Sequence, residues 1–409
     1  MSRLDRSPSP PAAVRRGAAA RSPRAALAVS LCTLLACADP GLGPTTSVPG
    51  TWLGFDDATA YASGGVGVTS LAAGDLTGDG LLDLIAVTRG DAVRILPGSA
   101  SGAFGAAVVL TVGVDPLRAV TGDVDGDGVP DLIVIGHFDN AFHVRRGLGH
   151  GTFDAAVRYP LRNHGREIAV ADLDGDHIDD VAAVHDGSGQ PIWISVFLGS
   201  AGGALRPVWE AGTPFSSSQR VVVADLDGDG HRDVALAMGD PESNLLFLRG
   251  TGTGRFAAPV ALPPTPGAPG VTDGTTSVAV ADLDGNGIGD LVFAHAYPSR
   301  LSVRLSSAAG VGAPRLFDAP ASIDVALGDV DGDGRVDAVA SNLDAGTISV
   351  YPGRGDGSFG TPRPFAAGPG PGHLALGDFD HDGWLDVAVA SVTDNQIRVL
   401  RNRGVGPRD

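Results

Sequence analysis

The chain of 409 residues contains no lysine, and its only two cysteines, Cys32 and Cys37, lie near the N-terminus. The remaining residues have no internal disulfide, so in an oxidising compartment the fold has to rest on packing and bound ions. The longest apolar stretch, 25–36, falls short of the about 20 residues that span a bilayer. There is no His-Glu-x-x-His, no Gly-x-Ser-x-Gly and no nucleotide-binding glycine fingerprint, so no catalytic constellation stands out. Aromatic residues make up only 5% while glycine supplies 60 positions, a composition suited to tight turns between strands of small residues. The formal net charge is −18. That balance argues against a nucleic-acid partner and against a basic membrane-surface patch.

Most of the acidity is organised. Seven loops of the form Asp-x-Asp-Gly-Asp-Gly-x-x-Asp begin at Asp75, Asp123, Asp172, Asp225, Asp282, Asp329 and Asp378, with gaps of 48, 49, 53, 57, 47 and 49 residues. A period of this length means stacked supersecondary units. Positions 1, 3, 5 and 9 carry oxygen. In order they are Asp75, Thr77, Asp79 and Asp83; Asp123, Asp125, Asp127 and Asp131; Asp172, Asp174, Asp176 and Asp180; Asp225, Asp227, Asp229 and Asp233. The last three loops bring Asp282, Asp284, Asn286 and Asp290; Asp329, Asp331, Asp333 and Asp337; Asp378, Asp380, Asp382 and Asp386. Converging carboxylates require a cation, and Ca²⁺ fits this all-oxygen set, with the position-7 carbonyl as a further ligand and up to seven ions in all. Thr77 and Asn286 replace a carboxylate with a neutral oxygen, and His177 stands where most loops have glycine, so the first, third and fifth loops are expected to bind more weakly. His381 takes the fourth position of the seventh loop.

Each loop lies between two short apolar runs, such as 221–224 before and 234–237 after the fourth loop, which read as buried strands. A third run follows, as in 194–198, and then a glycine turn opens a fourth strand on Phe104, Phe153, Phe256 or Phe359, with Leu205 and Val311 at the same position in two copies. Four strands per repeat make the blade of a β-propeller.

The aspartate loop followed by Gly-x-Phe resembles the FG-GAP or VCBS repeat, the blade unit of integrin α-subunit propellers and of many secreted bacterial proteins, over residues 51–409. The resemblance implies an all-β, seven-bladed propeller at 52–409. As to function it implies calcium binding and a range that includes adhesins, lectins and lyases, because one scaffold carries many activities. Closure is also legible. Only two strands follow Asp386, while 55–61 copies the spacing of 153–159, so the N-terminal strand is expected to complete the last blade and remove the open edge.

Residues 1–37 carry six arginines before the apolar stretch and read as a signal peptide. Its end, Leu34-Leu35-Ala36-Cys37, resembles the lipobox of bacterial lipoproteins, with Cys37 as the lipidated residue. Residues 38–51 read as a flexible linker. The expectation is an exported, lipid-anchored or secreted monomer of the cell envelope that binds a surface protein or glycan. A carbohydrate-active enzyme on the same ring is the alternative and predicts acid, base and cation side chains clustered once at the channel mouth. A lectin predicts aromatic pockets recurring between blades, which Trp193, Trp209 and Trp384 do not supply. The tripeptide 354–356, Arg-Gly-Asp, aligns with 148–150 and 251–253 as one variant of a recurring turn. His137, His143, His150 and His164, with Arg145, Arg146, Arg158, Arg162 and Arg166, form a local cationic excess open to an anionic partner or to plain solvation.

Overall fold

Small and β-branched side chains tolerate burial on both faces of a pleated sheet, and the apolar runs flanking each loop form antiparallel strands accordingly. The computed structural model describes residues 51–406 except 91, 187–190, 214, 216, 217, 241, 242, 263–273, 298 and 321. The leader, Cys37 and the linker up to residue 50 lie outside the described residues. Among the described residues there is no helix, and therefore none long and apolar enough to cross a membrane.

Seven four-stranded sheets form seven blades. Their first strands are Val68–Gly74, Pro116–Gly122, His164–Ala171, Ser218–Ala224, Thr275–Ala281, Ser322–Gly328 and Pro371–Gly377. These touch one another around the whole ring, Pro371–Gly377 against Val68–Gly74 included, and so surround a central channel. Second strands such as Asp131–Gly136 and Asp386–Ser391 are buried throughout. Outermost strands such as Val157–Pro160 and Arg363–Ala366 are mostly exposed.

The expected closure is present. Thr59–Ala62 pairs with Gln396–Leu400 as the outer strand of the seventh blade. A further contact was not legible in the repeat pattern: Thr51–Trp52 pairs with Val405–Gly406.

The core is divided among seven clusters, one at each interface between neighbouring blades. The residues at the Phe position distribute one to each: Phe104, Phe153, Leu205, Phe256, Val311, Phe359 and, from the N-terminal strand, Phe55. This explains the recurrence of Phe in the sequence. Burying such a side chain contributes about 1.5–3 kcal/mol, and each one holds two blades together.

Candidate metal sites and the channel mouth

The aspartate loops all lie on one face, because each joins the end of a first strand to the start of a second. Within a loop the first aspartate organises the backbone. Asp123 Oδ1 accepts from Gly126 N at 2.7 Å and its Oδ2 from Gly128 N at 2.8 Å. The N–H at position 6 reaches the first aspartate in all seven loops, at 2.8–3.0 Å. The chain has to turn left-handed to do this. Gly126 and Gly128 have φ of +72° and +82°, and His177 and His381 adopt +69° and +60° despite their side chains.

The ninth aspartate does something that the motif alone does not reveal. In every blade its Oδ2 accepts from the N–H at position 2 and its Oδ1 from the N–H at the end of the third strand: Gly98, Gly147, Gly199, Gly250, Ser306, Gly353 and Asn402, at 2.7–2.8 Å. These seven aspartates are buried. Burial pushes their carboxyls up, to about 6 for Asp83, Asp233, Asp290 and Asp386 and to about 7 for Asp131, Asp180 and Asp337.

The donor set fits a hard cation. Carboxylate oxygens of positions 1, 3 and 5 converge in the second, fourth and sixth loops, and those of positions 1, 3 and 9 in the third and fifth, within 4.8 Å of one another. At position 3, Thr77 Oγ1, Asp227 Oδ1, Asp331 Oδ1 and Asp380 Oδ1 are buried and make no hydrogen bond. A buried acceptor without a partner is costly, and a cation among these oxygens would relieve it. Three loops also carry an arginine that sequence spacing did not suggest. Arg146 lies 3.3 Å from Asp125, Arg249 2.5 Å from Asp227 and 3.4 Å from Asp229, and Arg401 2.6 Å from Asp386. All three precede the residue that the ninth aspartate binds.

The cationic excess of 137–166 is dispersed by the fold. His143 is held by Asp139 at 2.6 Å, Arg146 sits at the second aspartate loop, and Arg145 donates to the carbonyls of Asp154 and Thr111. Arg162 pairs with Glu210 and stacks 4.3 Å over Trp193. Trp209 packs edge-on against Phe256. Arg354–Asp356 lies on the recurring turn as expected: Arg354 N donates to Ser358 O at 3.0 Å, as Leu148 does to Thr152 and Thr251 to Arg255.

A different cluster forms on the opposite face, where the first strands begin. Five residues before each loop's first aspartate stands a polar side chain: Ser70, Arg118, Glu167, Arg220, Ser277, Asp324 and His373. All seven line the channel or its mouth or bond to a residue that does. Every first strand has a register irregularity at this level, a device that re-aims side chains. Arg118 Nε donates to both oxygens of Glu167, at 2.9 and 3.0 Å. Asp324 is buried, accepts from Ser277 Oγ at 2.5 Å and from Leu374 N at 3.1 Å, and has Arg220 at 3.8 Å and His373 Nδ1 at 3.5 Å. Burial opposes its ionisation, but Arg220 and its hydrogen bonds outweigh that and hold the carboxyl well below the usual range. Aligning the repeats at this column would have exposed the cluster, since each is a polar residue next to an apolar run. On the same face, in the segments leading into first strands or out of second strands, Val66, Val114, Phe138, Tyr297 and Val392 are exposed.

Comparison with known proteins agrees with this architecture. The FG-GAP-like repeat matches residues 75–134, 123–183, 172–236, 225–293 and 329–389, more than half of the chain, with all seven loops inside the matched segments. No curated protein shows detectable sequence similarity. Among solved structures, crystals of BBS1N in complex with ARL6DN, soaked with mercury or with lead, superpose with TM-scores of 0.58 and 0.60 at 12% and 11% identity, covering 88% of this chain and 98% and 100% of theirs. A structure describing recognition of non-reducing terminal N-acetylglucosamine by an Agrocybe aegerita lectin gives 0.50 at 17% identity, covering 83% and 86%. At these identities the likeness is one of fold.

Proposed function

The chain belongs to the FG-GAP-like repeat family, and we propose that it is an exported, calcium-stabilised propeller whose loop-free face recognises a protein or glycan at the cell surface. The observation that carries this reading is the division of labour between the two faces. One repeats the same acidic loop seven times, with a buried position-3 oxygen that makes no hydrogen bond in four of them. The other varies from blade to blade and bears a charged mouth together with exposed Phe138, Tyr297 and Val392. Repetition suits a scaffold, and variation suits recognition. Ca²⁺ in the loops neutralises them and fixes the hairpin between first and second strands. Anchoring through Cys37 keeps the propeller in the bacterial envelope, and Cys37→Ser would move it from the membrane fraction to the soluble exported fraction.

The test is binding of the Ca²⁺-loaded protein to immobilised glycans and envelope proteins, with Phe138→Asp/Tyr297→Asp as the comparison. Binding by the native protein that the double variant loses supports the reading, whereas binding unchanged by it removes the loop-free face from recognition.

A second reading has a specific observation in its favour. An enzyme on this ring calls for acid, base and cation groups clustered once at the channel mouth, and Arg118, Glu167, Arg220, Asp324 and His373 occur there once each. Lyase or hydrolase activity on polysaccharides, abolished by His373→Ala at unchanged melting temperature, would select it over pure recognition.

A further inference from the structure

The mouth of the channel opens into a cavity of about 290 Å³ lined by Arg118, Arg166, Glu167, Ser218, Asp324 and His373 among others. Its hydrogen-bonding capacity is unevenly spent. Both oxygens of Glu167 are taken by Arg118 Nε. Asp324 Oδ1 accepts from Ser277 and Val325 N, and its Oδ2 from Leu374 N. Asp186, behind Arg166, accepts from Arg166 Nε at 2.7 Å. The carboxylates of the mouth are thus already engaged. Two of the cations are not: Arg118 and Arg166 each use Nε alone, and their terminal guanidinium nitrogens have no acceptor among the described residues. Ser218 Oγ is buried against the same cavity without any hydrogen bond, and His373 Nδ1, 3.5 Å from Asp324, makes none either.

A ligand that completes this site has to bring acceptors, and a paired acceptor at that, because the unspent donors are planar guanidinium forks. Hydroxyl donors on the ligand would meet Ser218 and the lone pairs of Thr69 and Thr276 at the rim, whose own protons go to Val87 O and to Ala294 and Ser322 O. An ammonium would find its carboxylate partners occupied. We infer that the channel mouth is a binding site for a small organic carboxylate bearing hydroxyls, a sugar acid, with its carboxylate on the terminal nitrogens of Arg118 and Arg166 and its hydroxyls toward Ser218 and the rim. The inference rests on the loop-free face being the recognition face and names the chemistry recognised at its centre. The cavity would admit one such residue, so a free sugar acid and the terminal residue of an acidic polysaccharide share the same chemistry.

The experiment is isothermal titration of the full chain, saturated with Ca²⁺, using D-glucuronate, D-glucose and acetate as probes and a glucuronate-terminated oligosaccharide to separate the two sources. Arg118→Lys and Arg166→Lys keep the pairs with Glu167 and Asp186 but remove the forks, and Ser218→Leu fills the cavity. Expected are glucuronate affinity at least about tenfold above glucose and acetate, and a loss of about tenfold in either lysine variant, with melting temperatures unchanged. A preference for the oligosaccharide or for the free acid identifies the source and supports the site in either case. Absence of glucuronate binding at millimolar concentration, acetate binding as well as glucuronate, or equal binding by native and lysine variants would overturn it. Loss of macromolecular binding in the Phe138→Asp/Tyr297→Asp variant, alongside no response to glucuronate, would sink only this inference and leave the recognition face standing.

Discussion

Phe55 bridges Asn402 across the closing blade, as Phe153 bridges Gly147, Phe256 bridges Gly250 and Phe359 bridges Gly353 elsewhere in the ring. Five blades have glycine where the seventh has Asn402, and the exception has a physical reason. Asn402 Oδ1 accepts from Trp52 Nε1 at 2.9 Å, and its Nδ2 donates to Val330 O at 2.7 Å and Leu385 O at 3.0 Å. One side chain thus clips the N-terminal segment to the sixth and seventh blades.

Asn402→Gly, although it restores the residue of the other blades, is expected to destabilise the protein by about 2–4 kcal/mol, because it strands the buried Trp52 N–H and the Val330 carbonyl. Urea unfolding measures this. Phe55→Ala, which removes the aromatic contacts to Trp52 and Phe365 at 5.5 and 5.0 Å, should cost about 3–5 kcal/mol.

Positions 5 and 9 of a loop should separate binding from folding. Asp127→Asn keeps the oxygen that accepts from Val129 N and removes one negative charge, so calcium affinity falls while metal-free stability stays within about 0.5 kcal/mol. Asp131→Asn places an amide against two backbone N–H groups, and should cost about 1–3 kcal/mol or more without any metal. Calcium titration and chemical unfolding of the two variants make the comparison.

If the loops bind Ca²⁺ as proposed, the arginines paired with their aspartates compete with it as tethered cations. Arg249→Gln is expected to raise the calcium affinity of the fourth loop by up to about fivefold, a modest gain because ion pairs of exposed arginines are weak, and to make that affinity fall more steeply with added salt, since the loop is then more negative. No gain in affinity would show that Arg249 merely covers the loop.

The ninth aspartates set a pH dependence. Their folded pKa of about 6 to 7 lies above the unfolded value near 3.8, so the metal-free fold binds more protons than the unfolded chain between those values. Its stability therefore falls as pH rises from about 4 to 7. His185, buried and lowered to about 4 from its usual 6.5, and His137 and His373, which burial also lowers, work in the opposite sense below about pH 6.5, but they are three groups against seven. Calcium affinity should climb through the same window as the carboxyls deprotonate. Melting curves at pH 4.5, 6 and 7.5, with chelator and with Ca²⁺, test both signs.

How much of this was readable in advance follows from what repeats. Loops, blade number, the Phe position and the N-terminal closure recur at a fixed period, and a period survives translation into structure. The role of Asp131 or Asp337 as a backbone tether was hidden, because its partners lie 16 residues away at the end of another strand. The channel ring was hidden for the opposite reason: Arg118, Glu167 and Asp324 share a column of the repeat but not a residue type. The cationic stretch of 137–166 is not a single patch, since residues such as Arg145 and Arg166 are carried to different faces of the ring.

The central claim is that the seven loops are calcium sites. Thermal unfolding of the metal-stripped protein, titrated with Ca²⁺ against Mg²⁺, tests it most directly. The account predicts a rise in melting temperature with Ca²⁺, growing with its concentration, and little change with equal Mg²⁺, whose smaller octahedral shell suits these loops poorly. A melting temperature indifferent to both ions would contradict it.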